Sequence, residues 1–548
     1  MSSPAFPLAS AIVAALLLTT VSGTAGKGDS PQIRDQEKIV HALSRLTLGA
    51  RPGDEGRVKA IGLKKWIDLQ LHPERIQENP VLAAKLQPLD TLAMTPAQMM
   101  ASYPSPQQVK DMAAGRLPFP EDPDKRMMIR RLVAHFDNSK APQEDSEPTM
   151  AGTPVEKLAL LEGLPRERQD QLIESMGQGT RMQVYAIAAP ELRRRIQSSA
   201  GPVRLVAEDL SDAKLYRAVY SERQLEEVLV DFWYNHFNVF FDKGMDRYLV
   251  TSYERDAIRP NVLRKFEDLL RATAQSPAML FYLDNWQSAG ADSIAGKGRN
   301  RGLNENYGRE LLELHTLGVD GGYTQKDVTE VARCFTGWTI RQPRRAAEFE
   351  FNPRMHDYGP KTVLGATIPA GGGIEDGYKV LHLLAQHPAT ARFISRKLAM
   401  RFVSDEPPES LVDRMAKVFL KKDGDIPAVL AALFNSPEFW SQTAYRAKVK
   451  SPFDFVTSAI RAVDADVDFG FGLTNQLMKM GQPLYRKSEP TGYPETGREW
   501  ANSAGLMARM NFAVALAANK IPGVRVTNPD RNVPPAGLTL GSPEFQKK

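Results

Sequence analysis

Apolar side chains recur at helical spacing along most of the chain. In residues 39–49, IVHALSRLTLG, and 57–71, RVKAIGLKKWIDLQL, they return every three or four residues, and the runs end at Gly49 and at His72-Pro73. The same spacing continues through most of residues 155–519. Strands and helices do not alternate, which excludes a doubly wound parallel sheet. We therefore predict a mainly α fold, a large multi-helix globular domain covering residues 26–548.

Two departures from this pattern are expected. The alternating run EFEF (348–351) and the turn-rich TVLGATI (362–368) predict a strand and a small β-hairpin element. The segment at about 87–155 is rich in proline and methionine and only weakly periodic, so we expect an irregular surface insertion there.

The start of the chain predicts export. Residues 8–21 form an uncharged apolar run, followed by the small residues 22–25, which is typical of a secretory signal peptide spanning residues 1–25. The run is shorter than the roughly 20 residues of a membrane span. We expect an exported protein, periplasmic or extracellular, without a membrane span in the mature chain. The alternative is an uncleaved N-terminal anchor.

The composition excludes several classes of function but does not identify one. The 548 residues include 70 Lys and Arg and 65 Asp and Glu, and the resulting net charge of +5 gives no case for nucleic-acid binding. The single cysteine excludes a disulfide framework and any multi-thiolate metal site. Cys334 shares a predicted helical stripe with Val328, Val331, Phe335 and Trp338, which indicates a small buried hydrophobe. The sequence contains no H-E-x-x-H or G-x-S-x-G motif.

The densest set of polar residues lies in GLNENYGRELLELHTLGVDGGYTQKDV, residues 302–328. On a helix starting near Asn304, the residues Asn306, Glu310 and Glu313 form one stripe, with His315 near the helix end. Two carboxylates three positions apart lie about 5–6 Å from each other. This spacing suits general acid/base catalysis or joint ligation of a divalent cation. The alternative is a solvated face carrying an ion pair between neighbouring turns.

Two further sets are candidates. In DFWYNHFNVF, residues 231–240, the polar Asn235, His236 and Asn238 stand among aromatic residues, so they are expected to be buried or to line a pocket. They form either a polar cluster facing the 304–315 helix or a satisfied core. His356 and Asp357 lie on the predicted hairpin loop, where a scaffold can present functional groups or where they serve ordinary turn chemistry.

The sequence resembles the bacterial family called domain of unknown function 1800. The resemblance rests on strings in chain order from about residue 38 to the end. The principal ones are HALSRLTLGARPGD, FWYNHFNV, LNENYGRELLELHTLGVDGGYTQKDVTEVARCFTGW, MHDYGPKTVLG, HPATARFISRKLAMRFVSDEPP, KVKSPFDFV, GQPLYRKSEPTGYP and SPEFQKK. It implies an exported, mainly helical protein, often encoded beside a second exported protein with an alkaline-phosphatase or sulfatase-like fold. It transfers no catalytic residues.

Two functions follow as hypotheses. The first is a hydrolase-like enzyme acting on polysaccharide or cell-envelope material, with a divalent metal as one option for its chemistry. Its predicted catalytic residues are Glu310, Glu313, His315 and His236, and its predicted substrate-binding residues are Asn235, Asn238, Asn304, Asn306, Arg309, Trp338, His356 and Asp357. The second is a non-enzymatic assembly, export or binding partner of the co-secreted sulfatase or alkaline-phosphatase-like protein.

Overall fold

The computed structural model describes residues 31–138, 150–199, 201–297, 302–526 and 536–548. The predicted signal peptide, residues 1–25, lies outside the described residues. Within them the protein is mainly α, as the periodicity predicts, with small antiparallel strand pairs. No helix in these ranges is long and apolar enough to cross a membrane.

In the first half of the chain, α12 and α13 pack against each other; α12 also packs on α4, α11 and α14, and α13 on α1 and α3. The helices of this half are α1 (Asp35–Leu46), α2 (Asp54–Ile61), α3 (Leu63–Leu71), α4 (Pro80–Leu86), α5 (Pro96–Ser102), α6 (Pro106–Ala113), α7 (Pro123–Asn138), α8 (Pro154–Glu162), α9 (Arg166–Ser175), α10 (Gln178–Tyr185), α11 (Pro190–Ser199), α12 (Val203–Tyr220), α13 (Gln224–His236), α14 (Asp246–Ser252), α15 (Phe266–Ala274) and α16 (Pro277–Tyr282).

The second half begins with α17 and α18, which pack together, and α20 then packs against the turn that follows α17. Its helices are α17 (Asn306–Glu310), α18 (Gln325–Cys334), α19 (Glu375–Ala385), α20 (Pro388–Phe402), α21 (Glu409–Lys421), α22 (Ile426–Phe434), α23 (Pro452–Ala462), α24 (Phe471–Lys479), α25 (Gly497–Trp500), α26 (Ser503–Ala517) and α27 (Ala536–Gly541). Two π-helical turns, Tyr253–Ile258 and Leu311–Thr316, continue α14 and α17.

The strands form three antiparallel pairs in the described ranges. β1 (Trp338–Arg341) pairs with β2 (Glu348–Phe351), β3 (Lys361–Val363) with β4 (Ala366–Ile368), and β5 (Ala465–Val467) with β6 (Val524–Val526). The predicted EFEF strand and the TVLGATI hairpin are therefore confirmed as β2 and as β3 with β4. Trp338 does not continue the helix of Cys334, because α18 ends at that cysteine and the chain turns into β1.

The segment predicted to be irregular contains regular structure. Three of its helices, α5, α6 and α7, begin at Pro96, Pro106 and Pro123. Proline is favoured at the first helical position, where its missing N–H costs nothing, so these prolines start helices instead of preventing them. Val109, Met112 and Ile129 form a small apolar cluster of their own between α6 and α7, apart from the main core.

The main core draws on the chain from Ala42 to Leu540. A second, smaller cluster lies among α8–α11. Cys334 is fully buried, as the apolar stripe predicts, and burial raises the pKa of its thiol to about 12. This cysteine is therefore a core residue rather than a reactive one.

Candidate functional site

The structure brings His236, at the end of α13, against the π-helical turn that contains His315. Nε2 of His236 lies 3.1 Å from the carbonyl oxygen of His315, and the ring centroids are 6.3 Å apart. Because a carbonyl only accepts, Nε2 carries the proton, and the buried Nδ1 then has no partner among the described residues. Burial holds the pKa of His236 well below its usual value and lowers that of His315 to about 3, with Lys397 adding to both shifts. Both imidazoles are neutral at pH 7.

The two glutamates of the predicted acid/base pair lie on different kinds of helical turn. Glu310 ends α17, and Glu313 belongs to the following π-helical turn. Partial burial and then the charge of Glu313 raise the pKa of Glu310, and Arg309 opposes the shift. Glu313 accepts a 3.4 Å hydrogen bond from the hydroxyl of Tyr323. The carboxylates thus interact as their spacing predicts, on a half-buried face.

The asparagines at the start of α17 bind backbone rather than an open space. The side-chain amide of Asn304 donates to the carbonyl of Asp284, and that of Asn306 donates to the carbonyl of Leu283, both at 3.3 Å. Arg309 forms an ion pair with Glu305, as expected if this helix face is simply solvated, and donates a hydrogen bond to Gln325. These contacts fix the beginning of α17 to the turn after α16.

Gly308 explains how α17 reaches α18. A Cβ at this position would lie 3.0 Å from the carbonyl oxygen of Val328 and 3.1 Å from the backbone nitrogen of Ala332. The glycine, unfavourable inside an isolated helix, is what lets the two helix backbones approach.

The predicted residues around His356 form an internal cluster. His356 and Lys361 are fully buried and contact the same oxygen of Asp376, at 3.3 and 2.7 Å. Asp357 forms an ion pair with Arg333 at 2.8 Å. These contacts join the loop before β3 to α18 and α19, and sequence reasoning did not identify Asp376.

Trp338 cannot serve as a platform for a sugar ring. Its side chain is fully buried and packs between Phe335, Phe349 and Tyr378. The stacking expected from the sequence requires an exposed ring face, which this tryptophan lacks.

Asn235 and Asn238 lead to the site that we consider the strongest candidate. Asn235 holds the segment 492–495 through three hydrogen bonds, to the backbone nitrogen and oxygen of Tyr493 and to the carboxylate of Glu495. Asn238 donates to the carbonyls of Lys487 and Glu489. Gly492, at φ +72°, lies so close to Asn235 that a side chain would collide with it. The two asparagines thereby shape one wall of a pocket.

This central pocket has a cavity volume of about 60 Å³, enough for a small polar group and a few waters. Six separate parts of the chain form its wall. They contribute Lys214, Asp231, Phe232, Tyr234, Asn235, Asn238, Arg401, Lys448, Val449, Ser451, Asp454, Gln482, Leu484, Tyr485, Tyr493, Pro494, Glu495, Trp500 and Lys548.

The charged side chains of the central pocket are mostly buried and paired. Nζ of Lys214 lies 2.7 Å from Oδ1 of Asp231. Asp454 receives Arg401 on one carboxylate oxygen, at 3.1 Å, and Lys548 on the other, at 2.5 Å. Arg401 also feels the charges of Asp231 and Glu495, which together with Asp454 raise its pKa. The three acidic side chains therefore surround one guanidinium.

Lys448 completes this set of charges. It pairs with Asp405, and it donates to the backbone carbonyl of Glu495 at 2.8 Å. Burial lowers the pKa of its ammonium. A buried charged group costs free energy unless its partners compensate, which makes a small cavity enclosed by several of them a candidate site for a polar group.

Aromatic rings form the remaining surface of the pocket. Tyr485 is anchored by a 2.6 Å hydrogen bond from its hydroxyl to Glu254, and Lys214 lies 5.1 Å from the centroid of its ring. The rings of Tyr493 and Trp500 lie 6.2 Å apart. Aromatic faces beside balanced donors and acceptors suit a polyhydroxylated ligand.

The family comparison agrees with the resemblance seen in the sequence. The model described as protein of unknown function (DUF1800) matches residues 41–546. The chain belongs to this family. No curated protein and no solved structure matches it. The family description assigns no activity, so the chemistry must be argued from the pocket.

Several family-like strings meet at the central pocket. FWYNHFNV supplies Asn235, HPATARFISRKLAMRFVSDEPP supplies Arg401, KVKSPFDFV supplies Lys448 and Asp454, and GQPLYRKSEPTGYP supplies Tyr493. These strings lie far apart in the sequence and have no regular helical or strand spacing in common. Their convergence was not predictable from helical spacing.

The pocket residues that sequence reasoning missed left a readable signal. Arg401 falls on the apolar face of α20 defined by Ile394 and Leu398, and Asp454 stands between two phenylalanines of α23. A charge at a core-facing position requires a buried partner.

The described ranges contain no group of three or more His, Cys, Asp and Glu side chains arranged to hold a metal ion. Among the described residues, no third side chain of these types joins Glu310 and Glu313. The arrangement in the central pocket supports proton transfer and charge stabilisation by side chains.

Proposed function

We propose that the protein is an exported hydrolase-like enzyme for polysaccharide or cell-envelope material, with the reacting group held in the central pocket. The observation that carries this proposal is the enclosure of a small cavity by paired, mostly buried charges and aromatic rings. Such groups are costly to bury, and structural ion pairs need no cavity between them.

Asp231 is the favoured proton acceptor. One of its oxygens pairs with Lys214, the other has no hydrogen-bond partner among the described residues, and the residue lines the pocket. An oxygen in this position can take a proton from an attacking water. Asn235 occupies one oxygen of Glu495 in the same wall.

Arg401 and Lys448 have the complementary role. When water attacks an ester, negative charge develops on the carbonyl oxygen, and fixed cations in a water-poor pocket stabilise it. At a glycosidic bond the same cations would stabilise the charge that develops on the departing oxygen. Tyr493 and Trp500 would bind the apolar face of a sugar ring.

The test is the release of reducing ends from purified peptidoglycan and a panel of soluble polysaccharides. Asp231→Asn should lower the rate by roughly 10²–10⁴-fold. Asp413→Asn, which breaks the exposed ion pair with Arg392, is the matched control and should leave the rate unchanged. A thermal melt of each variant separates lost chemistry from lost folding.

Glu310→Gln decides between the two acid/base assignments. If the predicted pair on α17 performs the chemistry, this variant loses activity and Asp231→Asn retains it. If no substrate in the panel releases reducing ends with the wild-type chain, the hydrolase proposal for these substrates is wrong.

A second function, docking to the co-secreted alkaline-phosphatase-like protein, is favoured by one surface. The outer face of α26 exposes Met507, Met510 and Val514 by 67%, 58% and 63%, and Arg509, the one charged residue within the helix, is buried. A helix that is apolar on its outer face as well as its inner one is typical of an element covered by a partner.

A photo-crosslinker placed at Met510 in the native host tests this second function. Crosslinks to the alkaline-phosphatase-like protein, abolished by Val514→Glu, would support docking. Crosslinks at the same yield from the distant exposed Val155 would show that the contact is non-specific.

A further inference from the structure

A second cavity lies on the other side of Asp454 from the central pocket. It has a volume of about 330 Å³, which accommodates a small organic molecule. Helix α1, the following residues 48–50, helix α23 and the segment 544–548 enclose it, and Lys450 lies in its wall. We call it the Lys450 cavity.

The backbone of Lys450 is held in place from two sides. Its N–H donates to the carbonyl of Gln546 at 2.9 Å, and its carbonyl accepts from Arg509 at 2.8 Å. The side chain is 8% exposed, and its amine lies 3.7 Å from the centroid of the Phe545 ring.

The amine of Lys450 differs from those of the neighbouring lysines. Lys448 pairs with Asp405 and Lys548 pairs with Asp454, whereas the amine of Lys450 has no hydrogen-bond or salt-bridge partner among the described residues. The amine lies over the ring of Phe545, and the residue lines the cavity.

Burial of this nitrogen favours the neutral amine, whereas the face of the Phe545 ring favours the ammonium. Burial lowers the pKa of Lys450 to about 7, with the charge of Arg509 on α26 adding to the shift and that of Asp454 on α23 opposing it. Glu55, Arg446, Glu544, Lys547 and Lys548 are the other charged residues lining the cavity. At pH 7 about half of the molecules carry a free lone pair on this nitrogen, compared with fewer than about one in a thousand for an ordinary lysine.

We propose that Lys450 is a nucleophilic residue whose amine captures aldehydes in this cavity as an imine. The nitrogen lone pair attacks the carbonyl carbon, and the carbonyl electron pair moves to the oxygen. Both N–H protons of the amine pass in turn to that oxygen, the oxygen leaves as water, and a C=N bond remains. One water is released, and no oxidant or reductant is needed.

This inference rests on the Lys450 cavity alone and does not require the proposed hydrolase activity. The ring of Phe545, together with Leu43 and Leu48, makes the space partly apolar. The cavity therefore suits a small aldehyde with an apolar portion rather than a long chain.

The test is reductive trapping on the full chain. The protein is incubated at pH 7 with benzaldehyde and sodium cyanoborohydride, and the modified lysines are quantified by peptide mass mapping. Lys450 should be modified more than about tenfold faster than the exposed Lys479 on α24, because the imine requires a neutral amine. Equal or slower modification of Lys450 would overturn the proposal.

Variants separate reactivity from access. Lys450→Arg keeps the charge but cannot form an imine, so the dominant modified peptide should disappear. Lys421→Arg, at an exposed lysine on α21 that lines neither cavity, is the control and should leave Lys450 as reactive as before. Because the comparison with Lys479 uses the unmutated chain, a variant that fails to fold leaves the test intact.

A non-covalent outcome would also overturn the inference. If benzoate, the carboxylate of the same shape, protects the chain against heat while benzaldehyde leaves no trapped adduct at Lys450, the cavity is an anion site. Imine formation with a half-maximum near pH 7 is the expected result.

Discussion

Replacing Gly308 with alanine tests the packing of α17 on α18. Helix propensity alone predicts that this change stabilises the protein, whereas the close packing predicts that it destabilises it. In an unconstrained helix the change from glycine to alanine stabilises by about 1 kcal/mol. Here the new Cβ would lie 3.0 Å from the carbonyl oxygen of Val328 and 3.3 Å from the Cβ of Ala332. Overpacking of this kind costs about 1–3 kcal/mol. We therefore expect a net destabilisation of about 1 kcal/mol.

Gly56 provides the matched control for this prediction. It lies exposed in α2, and a Cβ there would meet nothing within 4 Å. Gly56→Ala should stabilise by about 0.5–1 kcal/mol. Urea unfolding followed by circular dichroism gives both shifts on the same chain. If Gly308→Ala raises the unfolding midpoint as Gly56→Ala does, then the close approach of α17 and α18 is wrong.

Three further predictions concern buried groups. The pKa of His315 in the folded protein, about 3, lies below its usual value of 6.5. Below pH 6.5 the unfolded state therefore binds more protons than the folded state, and stability decreases as the pH is lowered. This costs about 2 kcal/mol at pH 5, and His315→Gln should flatten the change in urea midpoint between pH 7 and pH 5. Lys361→Met should cost about 3–5 kcal/mol because it removes the lysine counter-ion of the buried Asp376 and leaves in place the longer contact with His356. Asp376→Leu in the same chain should restore much of the loss in a urea titration. Cys334 should not react with Ellman's reagent at pH 8 until the chain unfolds, and a rapid native reaction would contradict its burial.

The fold class could be predicted because it depends on local periodicity. Helical spacing identifies most helices, and the alternation in residues 348–351 identifies a strand before any contact is known. The helices in segment 87–138 were harder to predict, because proline both breaks helices and begins them. Its apolar residues pack into a small separate cluster, which gives a weak periodic signal.

The site could be predicted only in part, for a different physical reason. The contact of His236 with the turn of His315 follows from two polar groups in apolar surroundings that need partners. The central pocket depends on long-range pairing, such as that of Arg401 with Asp454 across 53 residues. No local period records such a pairing. The sequence does show that Arg401 is a charged residue on an apolar helix face, which indicates a buried partner without identifying it.

Asp454 illustrates how hydrogen-bond capacity limits the roles within the pocket. One of its oxygens is taken by Arg401 and the other by Lys548, and the residue lies in the wall between both cavities. A carboxylate engaged on both oxygens by buried cations is poorly placed to accept a proton from water. It acts as a positioning residue, fixing Arg401 on one side. In the function proposed above, acid/base chemistry would then fall to a carboxylate with an unengaged oxygen, and Asp231 is the one that also carries its own counter-ion.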